Sequence, residues 1–243
     1  MTRGEGLEAR LASGLAAVGV EASGVQIERL LAHLAAVREA DARAGLVGTT
    51  DPAELVNRHV VDSAAFLGPL RGAGARSVVD VGSGAGLPGI VLAILSPGMS
   101  FLLVESRRKK AEFLAAAARA LSLANVEVAC GRAESLARDP RFRETRDAGV
   151  VRALARFAVA IELALPFVRP GGTLFLAAGP DAAAEAHEAG AATLLLGGAP
   201  PVLSPYHLPG REKPFHVVRI EKVRSTPDAY PRRPGIPKKR PLA

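Results

Sequence analysis

The chain has no tryptophan, and aromatic residues make up only 4% of its 243 positions. That scarcity argues against a nucleic-acid site built from many stacking rings. A single cysteine, Cys130, excludes an intrachain disulfide and suits a reducing compartment. No uncharged apolar run approaches the roughly 18 residues of a membrane-spanning helix. Met1 to Leu11 mixes acids and bases and lacks the apolar stretch of a secretory signal. The expectation is a soluble, cytoplasmic protein with no membrane partner. Acids are missing from Tyr230 to Ala243, which carries Arg232, Arg233, Lys238, Lys239 and Arg240, five cations against a formal net charge of +7 for the whole chain. That segment reads either as a solubilising tail or as a phosphate-contacting arm.

Several catalytic patterns are absent too. Gly-x-Ser-x-Gly fails, because Val81 stands where the first glycine before Ser83 is needed. A Gly-x-x-x-x-Gly-Lys-Ser/Thr loop is missing, which excludes a P-loop. Neither Cys-x-x-Cys nor His-Glu-x-x-His occurs, and no metal is expected.

What is present is enough to bury a full core: 49% of residues are hydrophobic and 23% charged. Residues 5 to 45 read as two helices. Leu7, Leu11, Leu15 and Val18 share a face in the first, and Val25, Ile27, Leu30, Leu31, Leu34 and Val37 in the second, with Ser23 as its N-cap. Thr50 or Asp51 caps a third helix that begins at Pro52 and runs to about Phe66. Leu67 to Arg76, rich in glycine, reads as a linker. The expected organisation is an N-terminal helical cap over 1–70, then an α/β core with a basic C-terminal tail over 71–243. Strands are expected at Ser77–Val81, Ser100–Glu105, Val126–Cys130, Ala148–Arg152 and Thr173–Ala177, with helices between them. Two further strands, Thr193–Leu196 and His216–Val223, would end the sheet. Alternating strands and helices imply a doubly wound, mostly parallel seven-stranded sheet.

The core is organised around Ser77 to Ile90, SVVDVGSGAGLPGI, a strand that runs through glycines into a helix. Gly84, Gly86 and Gly89 fit the dinucleotide pattern Gly-x-Gly-x-x-Gly, and Gly82, Gly84 and Gly86 fit the Asp-x-Gly-x-Gly-x-Gly form of S-adenosylmethionine (SAM) methyltransferases. Glu105, ending the second strand, could accept hydrogen bonds from ribose hydroxyls in either case. Asp80 favours SAM, because a diphosphate would meet a carboxylate there, whereas SAM carries an ammonium, a sulfonium and no phosphate. Glu134, after the third strand, can meet an adenine amino edge. An NAD-dependent oxidoreductase is the alternative enzyme.

The target atom is narrowed by what the chain lacks. The fourth strand leads into Arg152-Ala153-Leu154-Ala155, not into the polar-Pro-Pro-aromatic loop used on exocyclic base amines. A pyrimidine C5 needs a cysteine nucleophile, and Cys130 reads as a small core residue. A ring nitrogen such as guanine N7 carries a lone pair and no proton, so it needs placement only, and no catalytic side chain is assigned. His59 and Asp62, three apart on one helix, read either as an acid–base pair or, preferably, as a polar knot between cap and sheet. Arg107, Arg108, Lys109 and Lys110 open a helix as a run of cations, read either as a solvated face or as a phosphate site. His33 reads as a surface or packed histidine.

These residues resemble the RsmG (GidB) family of small-subunit rRNA guanine-N7 methyltransferases over about residues 25 to 243. The resemblance rests on Asp80 to Ile90, on Gly131-Arg132-Ala133-Glu134, on Arg58-His59 with Asp62-Ser63, and on Tyr230 to Leu242. It implies a Rossmann-like SAM methyltransferase acting on N7 of a guanine in the 530 loop of 16S rRNA, with 16S rRNA or a small ribosomal subunit precursor as partner. By the matching motifs, Gly82, Gly84 and Leu87 would contact SAM from the glycine turn, Ala133 and Glu134 from the adenine side, and Arg152 from beyond the fourth strand. Arg107, Arg108, Lys109, Arg232, Arg233, Lys238 and Lys239 are the candidate RNA-phosphate contacts. Two departures stand out: Gly45 to Thr49 replaces the family's Asn-Leu-Thr, and Ala178-Gly179 replaces Lys-Gly. They motivate a second alternative, a catalytically altered RNA-binding protein of the same fold.

Overall fold

The computed structural model describes residues 3–44 and 51–242. Alternation along the strands sorts the apolar residues into two cores. In β1 (Ser77–Val81), Val78 faces one core and Val79 and Val81 the other. With β2 (Ser100–Glu105), β3 (Val126–Cys130), β4 (Arg146–Val151), β5 (Val168–Ala178), β6 (Val202–Tyr206) and β7 (Phe215–Glu221), it forms a seven-stranded sheet of order β3-β2-β1-β4-β5-β7-β6. The first five strands are parallel, and β7 runs antiparallel between β5 and β6. Strand order reverses between β1 and β4, which opens a crevice at the carboxyl ends of the strands.

One face of the sheet is covered by α1 (Arg3–Ala17), α2 (Gly24–Ala44), a broken helix over 52–64, α5 (Leu67–Gly72), α6 (Gly89–Leu95) and α7 (Arg108–Ala120). The broken helix consists of α3 (Pro52–Glu54), a π-helical stretch Leu55–Val61 and α4 (Asp62–Ala64). The N-terminal helices and the sheet share one apolar cluster that includes Leu15, Leu30, Val60, Phe66, Ile90 and Phe101. The other face carries α8 (Ala133–Leu136), α9 (Phe157–Ala164) and α10 (Ala182–Glu188), with α11 (Gly190–Leu195) packed on α9. A last short helix, α12 (Ile236–Lys239), lies in the basic tail.

The caps behave as the sequence suggests. Gln26 N–H donates to Ser23 Oγ while Gln26 Oε1 accepts from Ser23 N–H, a reciprocal capping box. Asp51 Oδ2 accepts from Glu54 N–H at 3.0 Å; the competing candidate, Thr50, and the departure at Gly45 to Thr49 lie outside the described residues.

Other expectations need correction. Leu67 to Gly72 is not a linker but a helix with Leu67 and Leu70 fully buried. Thr193 to Leu196 is not a strand. It continues the alanine-rich, helix-forming segment that precedes it and mostly lies within α11. The strand pairing with β7 is Val202–Tyr206, whose Pro205 is tolerated because β6 is the sheet edge. Val25, placed on the buried face of its helix by spacing, is 58% exposed. Cys130 is exposed and not a core residue, because β3 is the other sheet edge. His33 is packed: it is buried beside Phe113, with ring centroids 6.3 Å apart, and burial pushes its pKa down to about 4 against the opposing effect of the Ala85 backbone. No helix among the described residues is long and apolar enough to cross a membrane.

Candidate cofactor pocket

The parallel register sets Val81 beside Val104 and Glu105 beside Cys130, so the turns that follow β1, β2 and β3 emerge together. Between them and the loop after β4 lies a cavity of about 380 Å³. Gly82, Gly84, Glu105, Ala133 and Glu134, five of the residues anticipated from the sequence, line it. Gly82 has φ +81°, and a Cβ there would come within 2.5 Å of Leu154 Cδ1, itself part of the cavity wall. Glycine thus meets both the backbone and the steric demand of the turn.

Two carboxylates organise the cavity. Glu105, 6% exposed, accepts Gly84 N–H on Oε2 at 3.0 Å and Arg107 N–H on Oε1 at 2.7 Å. It therefore ties the glycine turn to the start of α7. Glu134 Oε1 accepts from Arg132 Nη2 at 2.6 Å and from Gly235 N–H at 2.9 Å. Burial acts to raise the Glu134 pKa, but Arg132 and the Gly235 N–H outweigh it and hold the carboxyl below its ordinary value.

Asp80 differs from its expected place. It is 1% exposed, does not line the cavity, and accepts Gly89 N–H on Oδ2 at 2.9 Å. A Cβ at position 89 would lie 2.6 Å from that oxygen, so glycine is what lets the helix start close over the carboxylate. Burial pushes the Asp80 pKa up to about 7, opposed by the Gly89 N–H and Ser83. Asp80 therefore braces the turn from beneath, and its charge is not presented to a ligand in the cavity.

Leu87 and Arg152 also stand apart from the lining. Leu87 is buried in the core on the helical-cap side. Arg152 donates through Nε to the Leu87 carbonyl at 3.3 Å and through Nη1 to the Arg58 carbonyl at 3.2 Å and Asp62 Oδ2 at 2.9 Å. Its Nη2 lies 3.1 Å from His59 Nδ1. Guanidinium is a donor only, so His59 accepts and is neutral. Burial first, then Arg152, lowers the His59 pKa to about 4. The Tyr206 hydroxyl donates to Asp62 Oδ1, and burial followed by the Asp62 charge raises the tyrosine pKa. His59 and Asp62 are thus the polar knot, joining the π-helical stretch, the glycine turn, the loop after β4 and the end of β6.

The basic residues divide. Arg107 and Lys238 line the cavity, and so do Lys110 and Arg132. Lys109, Arg233 and Lys239 are exposed. Arg108 is exposed and paired with Glu112 at 2.8 Å. Arg232 departs from its expected role as a phosphate contact. Its backbone N–H and guanidinium bond the fully buried Glu162 at 2.6–3.2 Å. Sequence reasoning passed over Glu162, although an acid inside the apolar helix Phe157–Ala164 signals a buried partner. It also missed Leu154, Pro237 and the Tyr206 contact, which only the tertiary fold brings into place.

A crevice at the switch point of a doubly wound sheet that ends in an antiparallel β6–β7 pair, lined by Glu105 at the end of β2 and Glu134 in the first turn of α8, defines a Rossmann-like α/β fold of the methyltransferase type. Solved structures agree on the fold. The O-methyltransferase TomG from Streptomyces achromogenes aligns with TM-score 0.56 and 18% identity, over 92% of this chain and 100% of that one. An O-methyltransferase from Bacillus cereus aligns with TM-score 0.52 and 19% identity, over 79% and 91%. The family model described as GidB, rRNA small subunit methyltransferase G, matches residues 26–207. Proteins of that name from Deinococcus deserti and Rubrobacter xylanophilus are 40% and 42% identical, covering 96% and 94% of this chain and 95% and 88% of their own lengths. The chain belongs to the rRNA small subunit methyltransferase G family.

Proposed function

We propose that the protein transfers a methyl group from SAM to N7 of a guanine in 16S rRNA, in the 530 loop. The observation that carries this reading is the conjunction of family membership with the cavity built from Gly82, Gly84, Glu105, Ala133 and Glu134. The residues fit the cofactor. The turn offers glycine backbone where a side chain would clash, and the carboxylates of Glu105 and Glu134 are acceptors for hydroxyl and amino groups. When bound, SAM supplies an electrophilic methyl group on a sulfonium.

The protein's own residues bind and orient. Gly82 and Gly84 give the backbone surface. Glu105 accepts ribose hydroxyls while holding the turn closed, and Ala133 with Glu134 forms the adenine side. Leu87 and Arg152 act through the shape of the turn: Arg152 pins the Leu87 carbonyl to the helical cap. No proton has to be removed from N7, so no general base is assigned, and the polar knot of His59, Asp62, Arg152 and Tyr206 positions the cap. Exposed cations, Arg108, Lys109, Arg233 and Lys239 with Arg107 and Lys238 at the cavity rim, hold RNA phosphates. Among the described residues, the N-terminal helices and the sheet act as one body through their shared apolar cluster.

The test is calorimetric titration with SAM and NAD, followed by transfer of a labelled methyl group to 16S rRNA, naked and in small-subunit particles. SAM binding and label on guanine N7 are expected. Binding of NAD but not SAM would replace this reading by the oxidoreductase alternative, and RNA binding without transfer by the catalytically altered one.

A further inference from the structure

The basic tail has two faces with different work to do. Upstream it is clamped. Arg138 donates to the carbonyls of Asp228, Ala229 and Pro231, Arg143 to those of Thr226 and Tyr230, and Arg232 is held by buried Glu162. Beyond Arg232, among the described residues, one hydrogen bond ties the segment back to the body: Gly235 N–H to Glu134. The remaining bonds of that stretch are internal to it, as in Lys239 N–H to the Gly235 carbonyl. On the inner face, Pro237 is buried and, with Lys238, forms part of the cofactor cavity wall. On the outer face, Arg233, Lys239 and Arg240 are exposed. The segment is therefore hinged at a firm clamp, held beyond it by one hydrogen bond and by the packing of Pro237 and Leu242, and in contact with the cofactor site on one side and solvent on the other. A segment with so few backbone bonds to the body opens at lower free-energy cost than the strands and helices of the core.

We propose that residues 233–242 form a strap that couples cofactor binding to RNA binding. This rests on the reading above of the cavity as the SAM site. A cofactor filling the cavity packs against Pro237 and Lys238 and favours the docked strap through the wall it completes. The docked strap holds Arg233, Lys239 and Arg240 in one fixed arrangement on the segment whose Lys238 shares the cavity rim with Arg107 and Arg132. An RNA backbone running across that rim meets the cations already placed. Each ligand prefers the same docked state, so each tightens the other, and linkage makes the effect reciprocal.

The experiment measures the affinity of the full-length protein for 16S rRNA, naked and in small-subunit particles, with and without saturating S-adenosylhomocysteine, which supports no transfer. The wild-type protein is expected to bind RNA at least about 5-fold more tightly with S-adenosylhomocysteine present. The triple variant Arg233→Ala, Lys239→Ala, Arg240→Ala is expected to bind RNA more weakly and to lose that enhancement, while its affinity for S-adenosylhomocysteine without RNA stays at the wild-type value. Equal RNA affinity with and without S-adenosylhomocysteine would overturn the coupling. A full enhancement retained by the triple variant would overturn the role of the strap. Failure of S-adenosylhomocysteine to bind at all would remove the cofactor assignment and the strap with it, whereas methyl transfer without coupling removes the strap alone.

Discussion

Glu105 serves the fold and, in the proposed function, the ligand as well. It ends β2, so its direction is set by the sheet, and its two oxygens close the glycine turn onto the start of α7. Removing it opens the turn and deletes an acceptor at once. Glu105→Ala is expected to weaken SAM binding about 10-fold or more, since a hydrogen bond to a charged group contributes about 1.5–3 kcal/mol; isothermal titration reads this directly. Asp147 works at the opposite end of the sheet. Its Oδ2 accepts from Arg76 N–H, Ser77 N–H and Ser77 Oγ, and its Oδ1 from Arg169. Burial acts to raise its pKa, but Arg169 and these donors bring it down to about 2, from 3.8. A carboxylate whose folded pKa lies below its unfolded value stabilises above the unfolded pKa and loses that contribution as pH falls. Stability is therefore expected to drop by about 1–2 kcal/mol between pH 4 and pH 2, after allowance for partial exposure. Urea titrations across that range should show the drop in the wild-type protein and lack this component in Asp147→Asn.

Among the elements, the tail is the one whose chemistry changed most between sequence and structure. Its composition allowed a solvated arm or a phosphate arm; in the fold it is a clamped segment with an exposed end. Glu162 makes the clamp, being fully buried against Arg232. Glu162→Ala leaves the guanidinium without its partner and is expected to lower stability by about 3 kcal/mol, read from the chemical-denaturation midpoint. The βα units were legible because each strand carries a short apolar run followed by a glycine or charged turn, a strong local signal. The glycine turn, Glu105 and Glu134 were legible because parallel strands bring successive carboxyl ends to one edge, whereas Ala133 was legible only through the family resemblance. The edge strand β6 was not, because prolines disguise it and the alanine-rich stretch before it looks apolar enough to be a strand. Asp80 was misplaced because sequence shows that a charge precedes the glycines but not that Gly89 closes over it. The Arg152 knot joins residues up to 144 positions apart, from Asp62 to Tyr206, and no local pattern reports such a contact.

At the scale of the molecule, the N-terminal helices cover one face of the sheet, α12 of the basic tail packs on α9 over the other, and Arg107, Lys110, Arg132 and Lys238 line the candidate cavity at the carboxyl ends of the strands. That arrangement suits a polyanion approaching the carboxyl edge of the sheet. Binding to 16S rRNA is expected to weaken steeply with salt, and the triple variant of Arg233, Lys239 and Arg240 is expected to flatten the slope of log K against log salt by about 0.7 for each phosphate that is no longer neutralised. Filter-binding titrations across salt concentrations measure that slope. The proposed activity is defined by the identity of the methylated atom. Mapping N7-methylguanosine on 16S rRNA from cells with and without this protein addresses it directly. The modification is expected at one guanine of the 530 loop only when the protein is present; an identical N7-methylguanosine map in both would contradict it.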